Sequence, residues 1–409
     1  VGAITYRDSI LLVAPDARPQ TRRRLFEVHA HELAHQWFGN LVTPEWWDDI
    51  WLNESFATWI SYVALDLWQP EGQYRRELKQ RAGWVMNRDS MTTARQIRQP
   101  VLDHHDIADA FDGITYSKGG AVLSMFEAFL GREAFRAGVQ EHMRRHAWGT
   151  ATAIDFIDAL AAQSMDYPPD LVATAFRSFI EQPGLPMLTA ELICDEQEPR
   201  ANLSQSRYLP LGSNGDRAQT WALPMCLDFR SGGNSAVRCL ILEEPEQQIA
   251  LGESDCPDLL MPNVGGAGYY RWTLDADGWQ KLLGHTDQLG IDELMSVAAS
   301  LDGAFNAGTV DVGTYMQVAE RLSSTENYLV ATAPLDQLGF IYQRVADDPQ
   351  RALLADRFED IYGDALDRVG LATPRDNETA EMQALVTNFM AVRARLPELR
   401  ESLQEMAWA

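Results

Sequence analysis

The chain has 409 residues, 46% apolar and 23% charged, with a formal net charge of −25; this is globular composition at a length that divides into roughly two to four domains. Such an excess of acid argues against nucleic acid as a partner, because a phosphate-binding surface needs clustered Lys and Arg. No window approaches the run of about 20 apolar residues that a membrane-spanning helix requires, so no span is expected.

The opening VGAITYRDSILLV alternates like a strand already under way. The chain starts at Val1 rather than at Met and shows no signal peptide, so any export signal would lie upstream and the compartment, cytoplasmic or exported, stays open. From about Thr21 to Gly39 the pattern reads as one helix, with Leu25, Val28, Leu33 and Phe38 as apolar positions and Gly39-Asn40 as the stop. A second helix is expected from about Asn53 to Trp68, with Phe56, Ile60, Val63 and Leu67 at helical spacing and Pro70 beyond its end. Further helical pattern covers SKGGAVLSMFEAFLG, REAFRAGVQEHMRRHAW and TAIDFIDALAA. Helical continuity breaks at Gln182-Pro183-Gly184-Leu185-Pro186, the expected end of a first domain over 1–184.

Short apolar runs with turn signals then suggest a small β-sandwich over 185–274. All four cysteines, Cys194, Cys226, Cys239 and Cys256, lie here. WALPMCLDF and SAVRCLILE read as a hairpin closed by Gly232-Gly233, which sets Cys226 opposite Cys239 at a non-hydrogen-bonded position; either a disulfide or two thiols would suit that place. Helical pattern returns over 275–409 and suggests stacked helical pairs. The fold class expected is a multi-domain α+β chain: a mainly helical domain, a small β-sandwich and a C-terminal helical repeat.

In the first domain, His31-Glu32-Leu33-Ala34-His35 puts two imidazoles four residues apart, on one helical face, where both can reach one ion. Catalytic zinc usually takes three protein ligands and keeps a position for water, so one ligand is missing. Glu54, in LNES on the following helix, completes the His, His, Glu set of the gluzincin arrangement. Glu32 lies roughly one hundred degrees around the helix from His31, beside the metal-bound water rather than on the metal, and is the natural general base. His29 falls on the wrong face to share the ion and reads as structural or surface. Asp103-His104-His105-Asp106 reads as a polar loop rather than a second metal site, because adjacent residues rarely chelate one ion. Trp46, Trp47 and Trp51 read as packing residues.

HELAHQWFGNLVT, WWDDIWLNESFATW and FDGITYSKGGAVLSM, in that order, resemble the aminopeptidase N type of zinc metallopeptidases over about the first 185 residues. The resemblance implies a thermolysin-like catalytic domain, then a β-sandwich and a C-terminal α-helical superhelix, here shorter than usual and so truncated. It also assigns Tyr116, the tyrosine of ITYSKG, to the oxyanion of the tetrahedral intermediate, a role that suits a phenol near zinc. Lys118 and Gly119 are then expected to position the Tyr116 helix. These enzymes carry a Gly-x-Met-Glu-Asn motif upstream of the strand ending in ITYR, and its glutamate holds the substrate's free amine. Here that motif, and the N-terminal β-domain, would fall before Val1, so the chain reads as a fragment of a longer parent. The function expected is a zinc aminopeptidase with one Zn2+ per chain, acting on peptides. The alternatives are a related zinc hydrolase with a non-peptide substrate and a non-catalytic binding fragment.

Overall fold

Apolar residues at helical spacing build the first half of the molecule. The computed structural model describes residues 2–17, 19–195, 198–253, 255–374 and 376–408, and it divides into two units, Val1–Asp275 and Ala276–Ala409. In the first unit, α1 (Pro19–Ala34) leads through a short strand, β1 (Val42–Pro44), to α2 (Ile50–Trp68). α2 buries Trp51, Leu52, Phe56, Trp59 and Leu65. It packs against α1, against α3 (Tyr74–Asp89) and against α4 (Gly119–Leu130), which continues a π-helical turn at Ile114–Lys118. α5 (Arg132–His146), β2 (Gly149–Ala151), α6 (Ala153–Ala161) and α7 (Pro169–Ile180) follow; β2 pairs in parallel with β1, Val42 opposite Gly149.

Two expectations are corrected. The opening segment is not a strand: residues 2–7 have no regular secondary structure and pair with no strand among the described residues, and Asp8–Leu11 forms a helical turn. Alternation alone makes no strand, because the ladder needs a neighbour. The first helix ends at Ala34 rather than Gly39; it tightens through Gln36 N to Leu33 O and Trp37 N to Ala34 O, and the chain then turns at Gly39, whose φ of +124° suits glycine.

Close glycine contacts set how the helices meet. A Cβ on Gly39 would stand 2.5 Å from Asn53 Oδ1, and one on Gly119 would stand 2.7 Å from Ser55 Cβ. Asn53 and Ser55 flank Glu54, so both approaches fix the part of α2 that carries it. Behind α1 lies an aromatic core in which the Phe38 ring stacks on Phe56 at 3.3 Å and Phe156 meets Trp51 and Phe56 edge-on. His142 is wedged into it, 5.2 Å from Phe156 and 1% exposed.

Beyond the β1–β2 pair, the strands form two sheets. β3 (Pro186–Ile193) pairs antiparallel with β4 (Arg200–Arg207) and parallel with the last strand, β9 (Arg271–Leu274), while β7 (Glu246–Ala250) flanks β4. β5 (Leu223–Ser231) pairs with β6 (Asn234–Leu242) and with β8 (Leu259–Met261). The β5–β6 hairpin turns at Gly232-Gly233, both with positive φ, and joins Cys226 to Cys239 by a disulfide. A second disulfide joins Cys194 to Cys256. The second unit consists of helices, from Ala276–Gly284 to Pro397–Trp408, with no strand among its described residues.

Two measurements check this packing. Gly119→Ala forces α4 off Ser55 and is expected to destabilise the chain by about 1–3 kcal/mol in denaturant unfolding. Burial, reinforced by His146 and only partly opposed by Asp155, lowers the His142 pKa to about 4. The unfolded imidazole takes its proton near pH ~6.5, so the stability from neutral His142 is complete above that pH and is lost as the pH falls toward 4. His142→Gln should remove about 3 kcal/mol of acid-induced destabilisation from a melting-temperature profile against pH.

Candidate metal centre

His31 lies in the last turn of α1 and His35, four residues on, just past its end, and their Nε2 atoms stand 3.1 Å from each other. Glu54, one turn into α2, brings Oε2 to 3.2 Å from His31 Nε2 and 3.6 Å from His35 Nε2. Ligands about 2.0–2.1 Å from a tetrahedral ion stand about 3.3–3.4 Å apart, and the three separations bracket that edge. The donor set, two imidazoles and one carboxylate with room on one side, fits zinc with an open position. Among the described residues this is the one group of three His, Cys, Asp or Glu able to share an ion.

Outer contacts orient the donors. His35 Nδ1 stands 3.0 Å from the Phe38 carbonyl, to which it donates, so Nε2 is the nitrogen that faces the centre and would offer its lone pair to a bound metal ion. His31 Nδ1 lies 3.5 Å from Thr58 Oγ1, whose hydroxyl donates to the Glu54 carbonyl at 2.7 Å. Burial alone would raise the Glu54 pKa, but hydrogen bonds from His31 and His35 outweigh it and hold the carboxyl down to about 2. Burial pulls His35 down, whereas its bond and charge pairing with Glu54 push it further up, and the net direction is upward.

Glu32 and Tyr116 share with His31 the wall of a cavity of about 870 Å³ that also touches Thr5 and Tyr6. The Tyr116 ring lies 5.9 Å from the His31 ring. Burial first, then the carboxylates of Glu54 and Glu32, raise the Tyr116 pKa well above the ordinary phenol range, so it stays protonated and able to donate. The π-helical turn that presents Tyr116 is clamped: Asp112 Oδ1 accepts from Ile114 N at 2.8 Å, Ser55 Oγ donates to the Thr115 carbonyl at 2.6 Å, and Arg95 donates to Thr115 Oγ1 at 2.8 Å.

The other candidates lie elsewhere. His29 is exposed and bonds Tyr6 OH at 2.7 Å, away from the three donors. The expected polar loop at 103–106 is instead a helix start: Asp103 and Asp106 form a capping box on His104–Asp109, with both histidines exposed. Trp51 is buried at 1% exposure, whereas Trp46 and Trp47 are exposed, so only the first packs as expected. The sequence reading missed the far wall of the cavity, where Arg81 bonds Glu27 at 2.8 Å beside Arg24 and Tyr62. Glu27 precedes His31 by four residues, so the same i, i+4 rule that pairs the histidines could have found it.

Two imidazoles and a carboxylate on adjoining helices, with a second carboxylate beside them, are the side-chain set of a metallopeptidase. The model of the Peptidase family M1 domain matches residues 1–179, and that of the ERAP1-like C-terminal domain matches residues 259–409. The chain belongs to the aminopeptidase N-type family of peptidases. It is 32% identical to "Probable aminopeptidase 2" of Sulfurisphaera tokodaii over 86% of this chain and 42% of that protein. It is 29% identical to the "Alanine/arginine aminopeptidase" of Saccharomyces cerevisiae over 95% of this chain and 45% of that protein. It is 32% identical to "Aminopeptidase N" of Lactococcus lactis over 82% of this chain and 39% of that protein. The chain thus spans less than half the length of these relatives.

Calorimetric titration of the metal-free chain with zinc should show one site. Removing outer-sphere partners of metal ligands costs about 10–100-fold in affinity, so Glu54→Gln should cost at least that much. Protons compete for the imidazoles, so affinity should fall as the pH drops through the raised His35 value, above the usual ~6.5.

Proposed function

We propose that this chain carries the hydrolytic centre of a zinc-dependent aminopeptidase, with one zinc ion held by His31, His35 and Glu54. The observation that carries this reading is the convergence of three donor atoms within 3.6 Å, with Glu32 and Tyr116 on the same cavity. Zinc held there would acidify a water molecule and polarise the carbonyl of the scissile peptide. Glu32, beside His31 on α1, takes the proton from the attacking water and returns it to the departing amine. Tyr116, kept neutral by burial and by two nearby carboxylates, donates a hydrogen bond to the oxygen on which negative charge develops. That bond strengthens as charge builds, so it acts on the rate rather than on substrate affinity.

The same reading extends to architecture: a thermolysin-like catalytic domain over 1–184, a β-sandwich over 185–274 and a helical-repeat domain over 275–409. It extends to substrate class through the names of the relatives, which are aminopeptidases. Removal of single N-terminal residues needs a group that holds the free amine. The family's Gly-x-Met-Glu-Asn motif, which supplies one, does not occur in these 409 residues.

A panel of aminoacyl-arylamides tests the reading in the longest available form of the protein. Zinc-dependent release is expected, and its absence overturns the aminopeptidase reading. Glu32→Gln should lower kcat about 10²–10⁴-fold, and Tyr116→Phe about 10²–10³-fold with KM little changed. Full activity in Glu32→Gln would remove Glu32 from the mechanism.

A further inference from the structure

Two residues beyond Tyr116, a lysine is sealed inside the protein. Lys118 and Asp89 are both 0% exposed at their side chains, and Lys118 Nζ lies 2.9 Å from Asp89 Oδ2. Around them the polar groups close into one ring with the Gly184 peptide. Lys118 Nζ donates to the Gly184 carbonyl at 2.9 Å, and the Gly184 N–H donates to Asp89 Oδ1 at 3.0 Å. Tyr269 adds its hydroxyl to Asp89 Oδ2 at 3.2 Å, with its ring centroid 5.8 Å from the ammonium. Each charge therefore has several partners, the condition under which a buried ion pair is tolerated.

Four separate stretches meet here: Asp89 ends α3, Lys118 ends the π-helical turn, Gly184 lies just before β3, and Tyr269 lies just before β9. Stability alone is a poor reason for such a pair, because well-packed apolar residues of similar volume often do as well or better. Direction is a better one. An apolar side chain slides among equivalent packings, whereas an ammonium held by a carboxylate oxygen and a carbonyl has one place to sit. The π-helical turn needs such restraint, since its wider ring is a rare conformation that persists only where the surroundings over-determine it. Asp112, Ser55 and Arg95 hold the start and middle of the turn, and Lys118 holds its end.

We propose that Lys118, anchored by Asp89 and the Gly184 peptide, is the positioning residue that sets the Tyr116 phenol against the metal centre. This rests on the role given to Tyr116 above. Lys118 is neither one of the three donor residues nor among the described residues that line the cavity, so its effect on turnover runs through Tyr116.

A double-mutant cycle tests it in the zinc-loaded protein. Lys118→Met, and the apolar pair Asp89→Leu with Lys118→Met for the case that the lone change leaves Asp89 uncompensated and unfolds the chain, are compared with the parent and with Tyr116→Phe. In the parent background either variant should lower kcat about 10–100-fold with KM within about threefold, and in the Tyr116→Phe background the further loss should be under about threefold. A ¹⁹F spectrum of fluorotyrosine at position 116 should change from one sharp line to a broadened or split one in a folded variant of normal zinc content. Equal losses in both backgrounds, a loss confined to KM, or an unchanged ¹⁹F line in a folded variant would overturn the proposal. Should the parent show no zinc-dependent hydrolysis, the aminopeptidase reading fails by itself, and the ¹⁹F line still decides whether Lys118 positions Tyr116.

Discussion

A largely buried carboxylate facing two imidazole nitrogens is the constraint on which the first unit depends. Glu54 is 8% exposed, and burying a carboxylate without partners carries a large desolvation penalty. His31 and His35 supply the partners at 3.2 and 3.6 Å, but only if α1 and α2 hold their relative placement to within a fraction of an ångström. The surrounding structure is arranged to that end. Gly39 lets the chain leaving α1 lie against Asn53, Gly119 lets α4 lie against Ser55, and Phe38 stacks on Phe56 while its carbonyl accepts from His35. The contacts that pack the helices thus also aim the donors.

The same economy links the metal-facing helices to the turn that carries Tyr116. Ser55, adjacent to Glu54, donates to the Thr115 carbonyl, adjacent to Tyr116. A shift of α2 that moved the carboxylate would therefore move the phenol with it, and the carboxylate's charge in turn helps keep that phenol protonated. Geometry and protonation state are coupled through one short stretch of α2.

How much of this was legible in the sequence depended on how local each signal was. The i, i+4 spacing of His31 and His35 is a property of five residues, and it places both on one face before any tertiary structure is known. The hairpin that sets Cys226 against Cys239 is equally local, since Gly232-Gly233 fixes the register and alternation does the rest. What remained hidden is held by distant partners. The π-helical turn at Ile114–Lys118 has a composition that reads as ordinary helix, and its restraints come from Ser55 and Arg95. Cys194 and Cys256 are 62 residues apart, with the whole β5–β6 hairpin between them, so no single turn implies their pairing. The opening segment alternates like a strand, yet a strand is a property of two segments, and the sequence of one does not reveal the other.

Lys118, expected from the resemblance to position the Tyr116 helix, kept its burial and its partners hidden. Lysine is almost never fully buried unless paired, so a sequence offers no reason to place one at 0% exposure. Its identity follows from geometry that only the folded chain possesses: Asp89 at the end of α3 and the N–H and carbonyl of Gly184 converge on one point, and that point needs a long side chain with a positive, hydrogen-donating tip. Gly184 belongs to the Pro-Gly-Leu-Pro stretch that reads in sequence as a mere break between domains. In the structure the same break is a fixed point, because both polar atoms of its Gly184 peptide are taken by the ion pair. A linker whose backbone closes a buried charge pair is tied to the helices it joins, and the helical half and the strands that follow belong to one compact unit through residue 275.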